Sequence, residues 1–199
     1  IEPFLVTLAT LNIYRGLALT LTKGRPVPIT LPHFADLFGN GLVFNIIPSP
    51  VIISLVVLFV SWFLFTKTKF GFYVRSIGGN PEAARVAGIN IGLVKIAAYT
   101  LSGLYAFISG LILAALFNSG LPDAGRDLAL DSISGVILGG TAISGGVGSI
   151  LGTLGGILIM ASLNNGMSLL GAQYHVQILV KGLVIIFAVL MDNAFKSRQ

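Results

Sequence analysis

Polar side chains able to bind or react are scattered through a strongly apolar chain. Asn12 and Arg15 fall in the first apolar run, Asn164, Asn165 and Gln177 border the last, and Lys181 lies seven residues past Tyr174, about 10 Å into that last run. Groups of this kind in apolar surroundings hydrogen-bond across helices or face a polar path. For Lys181, with Gln177, the choice is between a polar path or another subunit and snorkelling towards the outer interface. Asn12, Arg15, Asn164 and Asn165 carry the same pair of readings, with structural bonds between helices somewhat favoured.

Covalent chemistry finds little support. Nothing matches GxxxxGK[ST], so no phosphate-binding loop is expected. Gly146 and Gly148 begin a GxGxxG, but Leu151 occupies its last place and no strand precedes it. His33 and His175 lie far apart in sequence and neither has a second histidine at helical spacing, so no metal site is expected. There is no GxSxG elbow for a serine nucleophile and no cysteine for thiolate or disulfide chemistry. No catalytic residue is assigned, and the chain reads as no enzyme.

The elements that position these side chains are membrane helices. Hydrophobic residues make up 55% of the chain and charged ones only 10%, far below the roughly one-quarter charged share of soluble domains. The net charge of +5 comes from cations flanking apolar runs, not from a patch with interleaved aromatics, so nucleic acid is not a partner. The expected fold is all-α, a polytopic helical bundle with about six spans, treated as a single transmembrane domain over residues 1–199. The first residues run straight into an apolar span, which reads as the C-terminal part of a longer protein.

Phe4 to Leu21, Pro48 to Phe65, Val94 to Phe117 and His175 to Met191 each read as one span. Leu37 to Ile47 could form a short interfacial helix. Ser102, Ala106, Gly110 and Ala114 make a ridge that would let helices approach closely. Leu128 to Leu163, broken by the glycine-rich Gly139 to Ser149, reads as two spans joined by a glycine turn or as a broken, re-entrant segment. Asn164 to Gln173 reads as a polar turn. The positive-inside rule puts Lys67 to Lys95 and the Lys196 and Arg198 tail in the cytoplasm and the acidic linker Asn118 to Asp131 outside, with Lys23 and Arg25 the discordant cations.

The cytoplasmic loop, residues 67–95, holds the most legible local structure. Asn80 suits an N-cap, Pro81 the first helical position, Glu82 the positive helix end and Gly88 the residue past the last turn. A helix of about two turns is marginal alone, so it must dock. With Ala83, Ala84, Val86 and Ala87 leaving it slim, and Arg85 among several cations, it suits another protein's cleft; the plainer alternative is a basic loop facing lipid phosphates.

GGNPEAARVAGI at Gly78 to Ile89, LDSISGVILGGTAISGGVGSILGTLGG at Leu130 to Gly156, and the closing LNNGMSLLG and VQILVKGLVIIFAVLMDN resemble the membrane permease subunit of bacterial ATP-binding-cassette sugar importers. The likeness is closest to the ribose permeases, with the xylose permeases next, and covers essentially the whole chain. Family members run longer at the N-terminus.

The resemblance implies a non-catalytic translocation subunit of the bacterial inner membrane, multi-pass in the lipid bilayer, that carries a monosaccharide, ribose or a related pentose. Its implied partners are a second permease copy, cassette ATPase subunits that hold the ATP and Mg, and a periplasmic sugar-binding protein; the chain itself holds no cofactor. On this likeness Asn80, Pro81, Glu82, Ala83, Ala84, Arg85 and Gly88 form the ATPase-coupling helix. Thr141, Asn164, Asn165, Gln177 and Lys181 are candidates for the sugar path, and Asp123, Arg126 and Asp127 for the binding-protein contact. A secondary transporter or channel for a small polar solute is the alternative; it would want coupling carboxylates within spans, and the acids cluster at segment ends.

Overall fold

A computed structural model of the chain describes residues 3–43, 45–142 and 144–196. Its helices are α1 (Pro3–Thr22), α2 (Ser49–Lys67), α3 (Lys69–Gly79), α4 (Pro81–Val86), α5 (Ile91–Leu116), α6 (Leu128–Leu138), α7 (Ile150–Leu169) and α8 (Tyr174–Lys196). Four two-residue strands, β1 (Val27–Pro28), β2 (Leu42–Val43), β3 (Ile47–Pro48) and β4 (Ser119–Gly120), tie loops together. Among the described residues α1, α2, α5 and α7 are long and apolar enough to cross a membrane. The protein is thus an all-α, multi-pass membrane protein, and its apolar side chains face outward accordingly: Phe59 is 63% and Leu104 51% exposed.

The chain forms two compact units whose boundaries fall within α2 and α5. In the first, residues 1–57 and 101–126, β1 pairs antiparallel with β4, Val27 opposite Gly120. The loop bearing Lys23 and Arg25 therefore lies on the same side as the acidic linker. Arg15 of α1 forms an ion pair with Asp123 of that linker, so Arg15 is held by a partner within the fold.

The expected interfacial helix over Leu37 to Ile47 does not form. A single π-helical turn, Asp36–Asn40, is followed by a β2–β3 hairpin with Leu42 opposite Pro48. Gly39 lies so close to α5 that a Cβ would stand 2.6 Å from the Ala115 carbonyl carbon, and Asn45 takes φ +56°, which a helix cannot continue through. Ser49, buried at the start of α2, donates its N–H to Gly41 O at 2.8 Å and fixes the entry into the span.

The second unit, residues 58–100 and 127–199, holds α3, α4 and the last three helices. At 11 residues α6 is about 16 Å long, roughly half a bilayer core, so the segment expected as two spans is a short helix, a glycine turn and the full-length α7. Glycines set the α6–α7 approach. A Cβ on Gly139 would lie 2.4 Å from Gly152 O, and one on Gly156 would lie 2.0 Å from Gly135 O. The two helices run antiparallel, backbone against backbone.

Two further expectations are corrected. Asn164 and Asn165 belong to α7, which continues to Leu169 and ends at Gly171, φ +70°, with Ala172 N–H bonded to Met167 O at 2.9 Å. Within α7 the Asn164 side chain has a partner on α6. The ridge on α5 has no close neighbour at Gly110: a Cβ there would meet nothing within 4 Å.

Candidate functional site

The short helix α4 is built as its residues dictate. Asn80 Oδ1 accepts from Ala83 N–H at 3.1 Å, Pro81 opens the first turn, and Glu82 lies in it. At the other end Ile89 N–H reaches Ala84 O at 3.1 Å while Gly88 takes φ +81°, a left-handed closure that a side chain would strain. Ala84 is buried, whereas Val86 is 89% exposed and Glu82 and Arg85 point outward 3.8 Å apart. An ion pair so exposed adds at most about 0.5 kcal/mol, so the caps, near 1 kcal/mol each, hold the helix.

Asn80 also closes α3, its N–H bonding Ser76 O at 3.0 Å. One residue thus ends one helix and begins the next. Sequence reading missed α3, although Thr68, which caps it by accepting from Phe70 N–H at 3.2 Å, was a visible start signal. Arg75 anchors α3 to the end of α2 through Nη2, which donates to Phe65 O at 3.1 Å, while its Nε donates to Gly71 O within α3 at 3.3 Å. A guanidinium there also complements the negative end of the α2 dipole.

Beyond α3 lies the glycine-rich turn. Gly145 and Gly146, with φ +88° and +81°, pass directly over Gly78 and Gly79. Beside this crossing is a cavity of about 730 Å³, lined by Trp62, Phe65 and Arg75 on one side and by Thr141, Ser149 and Thr153 on the other. Its walls are apolar with a few hydroxyls, and Lys67 Nζ lies 5.8 Å from the Trp62 ring centre.

A second polar cluster joins α6, α7 and α8. Asp131 Oδ2 accepts from Lys181 Nζ at 2.9 Å and from Asn164 Nδ2 at 3.2 Å, while Asn164 Oδ1 is buried and has no hydrogen-bond partner among the described residues. Lys181 therefore turns inward onto a carboxylate and does not snorkel.

The family model described as branched-chain amino acid transport system / permease component matches residues 1–189. The chain belongs to this permease family. Among curated relatives, the permease is 44% identical to the ribose import permease protein of Bacillus subtilis (strain 168), over 96% of this chain and 59% of that protein. It is 41% identical to the ribose import permease protein of Escherichia coli (strain K12), over 97% of this chain and 61% of that one. The xylose transport system permease protein of the same strain is 43% identical over 77% of this chain and 39% of its own length. The chain thus spans about three fifths of the ribose permeases it matches. No solved structure matches it.

Within this permease the expected path residues do not converge. Asn164 and Lys181 meet at Asp131, but Thr141 lies at the other end of the α6–α7 hairpin, its hydroxyl 3.4 Å from that of Thr153. Gln177 donates to Ala172 O at 2.9 Å, tying down the turn before α8, and Asn165 is exposed. Of the expected outer contacts, Asp123 is paired with Arg15 and Asp127 accepts from the Tyr174 hydroxyl at 2.6 Å. Arg126 lies between them at the boundary of the first unit.

Proposed function

We propose that the chain is the translocation part of an ATP-binding-cassette importer of the inner membrane that carries a monosaccharide, ribose or a related pentose. The permease performs no covalent chemistry in this reading. ATP and Mg belong to cassette ATPase subunits, which dock on α4 through the exposed Asn80, Pro81, Glu82, Ala83, Arg85 and Gly88, whereas Ala84, expected among them, is buried and faces the permease's own fold. A periplasmic sugar-binding protein delivers the sugar at the linker that carries Asp123, Arg126 and Asp127, and a second permease copy completes the path.

The observation that carries the reading is α4 itself, capped at both ends, joined to α3 through one residue, and exposed along Glu82, Arg85 and Val86. Its caps and the buried Ala84 hold α4 in a fixed shape, while Glu82, Arg85 and Val86 leave one face of it open to a partner. The ribose and xylose permeases among the relatives support the substrate class. The alternative, a secondary transporter or channel, would want a coupling carboxylate free within the spans, and Asp131 is already engaged by Lys181 and Asn164.

Uptake of labelled ribose and xylose into vesicles holding the complete permease, its ATPase and binding protein tests the reading. ATP-dependent uptake of either pentose is expected; uptake indifferent to ATP would turn the assignment to the alternative.

A further inference from the structure

We infer that Gly78, Gly145 and Gly146 form a rigid junction that makes α3, α4 and the glycine turn between α6 and α7 move as one body. It rests on the importer reading for its use, and on backbone geometry for its existence.

The crossing leaves no room for side chains on the facing sides. A Cβ on Gly78 would stand 2.5 Å from Gly146 N, and one on Gly145 would stand 2.8 Å from Gly78 O. Gly145 and Gly146 also hold left-handed φ values, so two independent constraints select glycine there. Backbone meeting backbone at this distance is stiff, because no flexible side chain lies between to absorb displacement.

Both flanks of the junction are equally tight. On one side, Asn80 ends α3 with its N–H and caps α4 with its side chain, and Ala84 of α4 is buried, which ties the two helices together. On the other, Ala142 N–H bonds Val147 O at 3.0 Å and Gly145 N–H bonds Ala142 O at 3.0 Å, which closes the turn on itself around the buried Ala142. The turn then runs into the Gly139–Gly152 contact that starts the α6–α7 hairpin. A push on α4 reaches α7 through backbone contacts alone. The displacement of α4 relative to the turn is the direct measure of this transmission.

Adjacent glycines provide the control. A Cβ on Gly79 would meet nothing within 4 Å, so Gly79→Ala makes the same chemical change one residue away without touching the turn. Spin labels placed at Ala87, at the end of α4 and outside the residues proposed to dock, and at Val147 on the turn, both exposed, in a complete permease with any other cysteines replaced, report the distance across the junction. In the purified complete permease we expect a narrow distance distribution that Gly78→Ala broadens and Gly79→Ala leaves alone. In the assembled transporter that distance changes by under about 2 Å between the nucleotide-free and ATP-bound states, well below the roughly 5.4 Å of a one-turn slip of one element past another. Uptake is lost in Gly78→Ala with ATPase association retained, and is kept in Gly79→Ala. A broad distribution in the unaltered protein, equal behaviour of the two variants, or a larger change on ATP binding would overturn the junction. If the first arm holds but wild-type uptake ignores ATP, the importer reading fails, and the transmitting role falls with it.

Discussion

Lys181 Nζ sits 2.9 Å from Asp131 Oδ2, with the two side chains only 17% and 21% exposed. A mostly buried charge pair between α6 and α8 accounts for a lysine a third of the way along α8 and for an acid in the first turn of the apolar α6. Each neutralises the other, and Asn164 adds a third contact from α7.

Removing one partner should therefore cost more than removing both. Lys181→Met alone strands Asp131 and is expected to destabilise the protein by about 3 kcal/mol, whereas Lys181→Met with Asp131→Leu should recover much of that loss. Thermal unfolding of the purified single and double variants checks this; strictly additive losses would mean the pair contributes nothing as a pair.

Glycines in the hairpin differ sharply in what they tolerate. Gly156→Ala puts a Cβ 2.0 Å from Gly135 O and should cost about 1–3 kcal/mol, while Gly155→Ala meets nothing within 4 Å and should be neutral. Gly110→Leu on α5 is expected to leave purified protein as a single dispersed species, since that site is open. Aggregation of Gly110→Leu with a normal Gly156→Ala would reverse the assignment of the packed faces.

The capped helix should be sensitive at both ends. Asn80→Ala removes the bond to Ala83 N–H at a cost of about 1 kcal/mol, and Gly88→Val strains a position at φ +81°. Uptake is expected to fall in both while the protein remains in the membrane. Unaltered uptake would separate transport from the shape of α4.

Pairing of Val27 with Gly120 places two loops together. Cysteines introduced at Lys23 and at Asp123 should react with an impermeant thiol reagent from the same side of the membrane. Reaction from opposite sides would break the first unit as described.

Local signals in the sequence read well where one residue has one job. Asn80, Pro81, Glu82 and Gly88 specify α4 almost unaided, because caps act within a turn. The long apolar runs became α1, α2 and α5 within a few residues, since hydrocarbon thickness sets their length. Partnerships were not legible. Asn164 fell in a segment expected as a polar turn but lies within α7 with its side chain bonded to Asp131, and for Lys181 the sequence left a polar path or another subunit and snorkelling both open, where the structure shows a pair with Asp131. The glycines were visible, but neither which of them face a backbone nor the absence of a neighbour at Gly110 could be read from spacing alone.

The central claim is that α4 couples this permease to a cassette ATPase. Co-purification of the complete permease with its candidate ATPase, comparing the unaltered protein with Glu82→Lys, tests it most directly. Glu82 is exposed in the first turn of α4 and takes no part in its caps, so the substitution should leave the fold intact and reverse one charge on the docking face. The account predicts that the ATPase is retained by the unaltered permease and lost or strongly reduced with Glu82→Lys. Equal retention by both, or retention by neither, would contradict it.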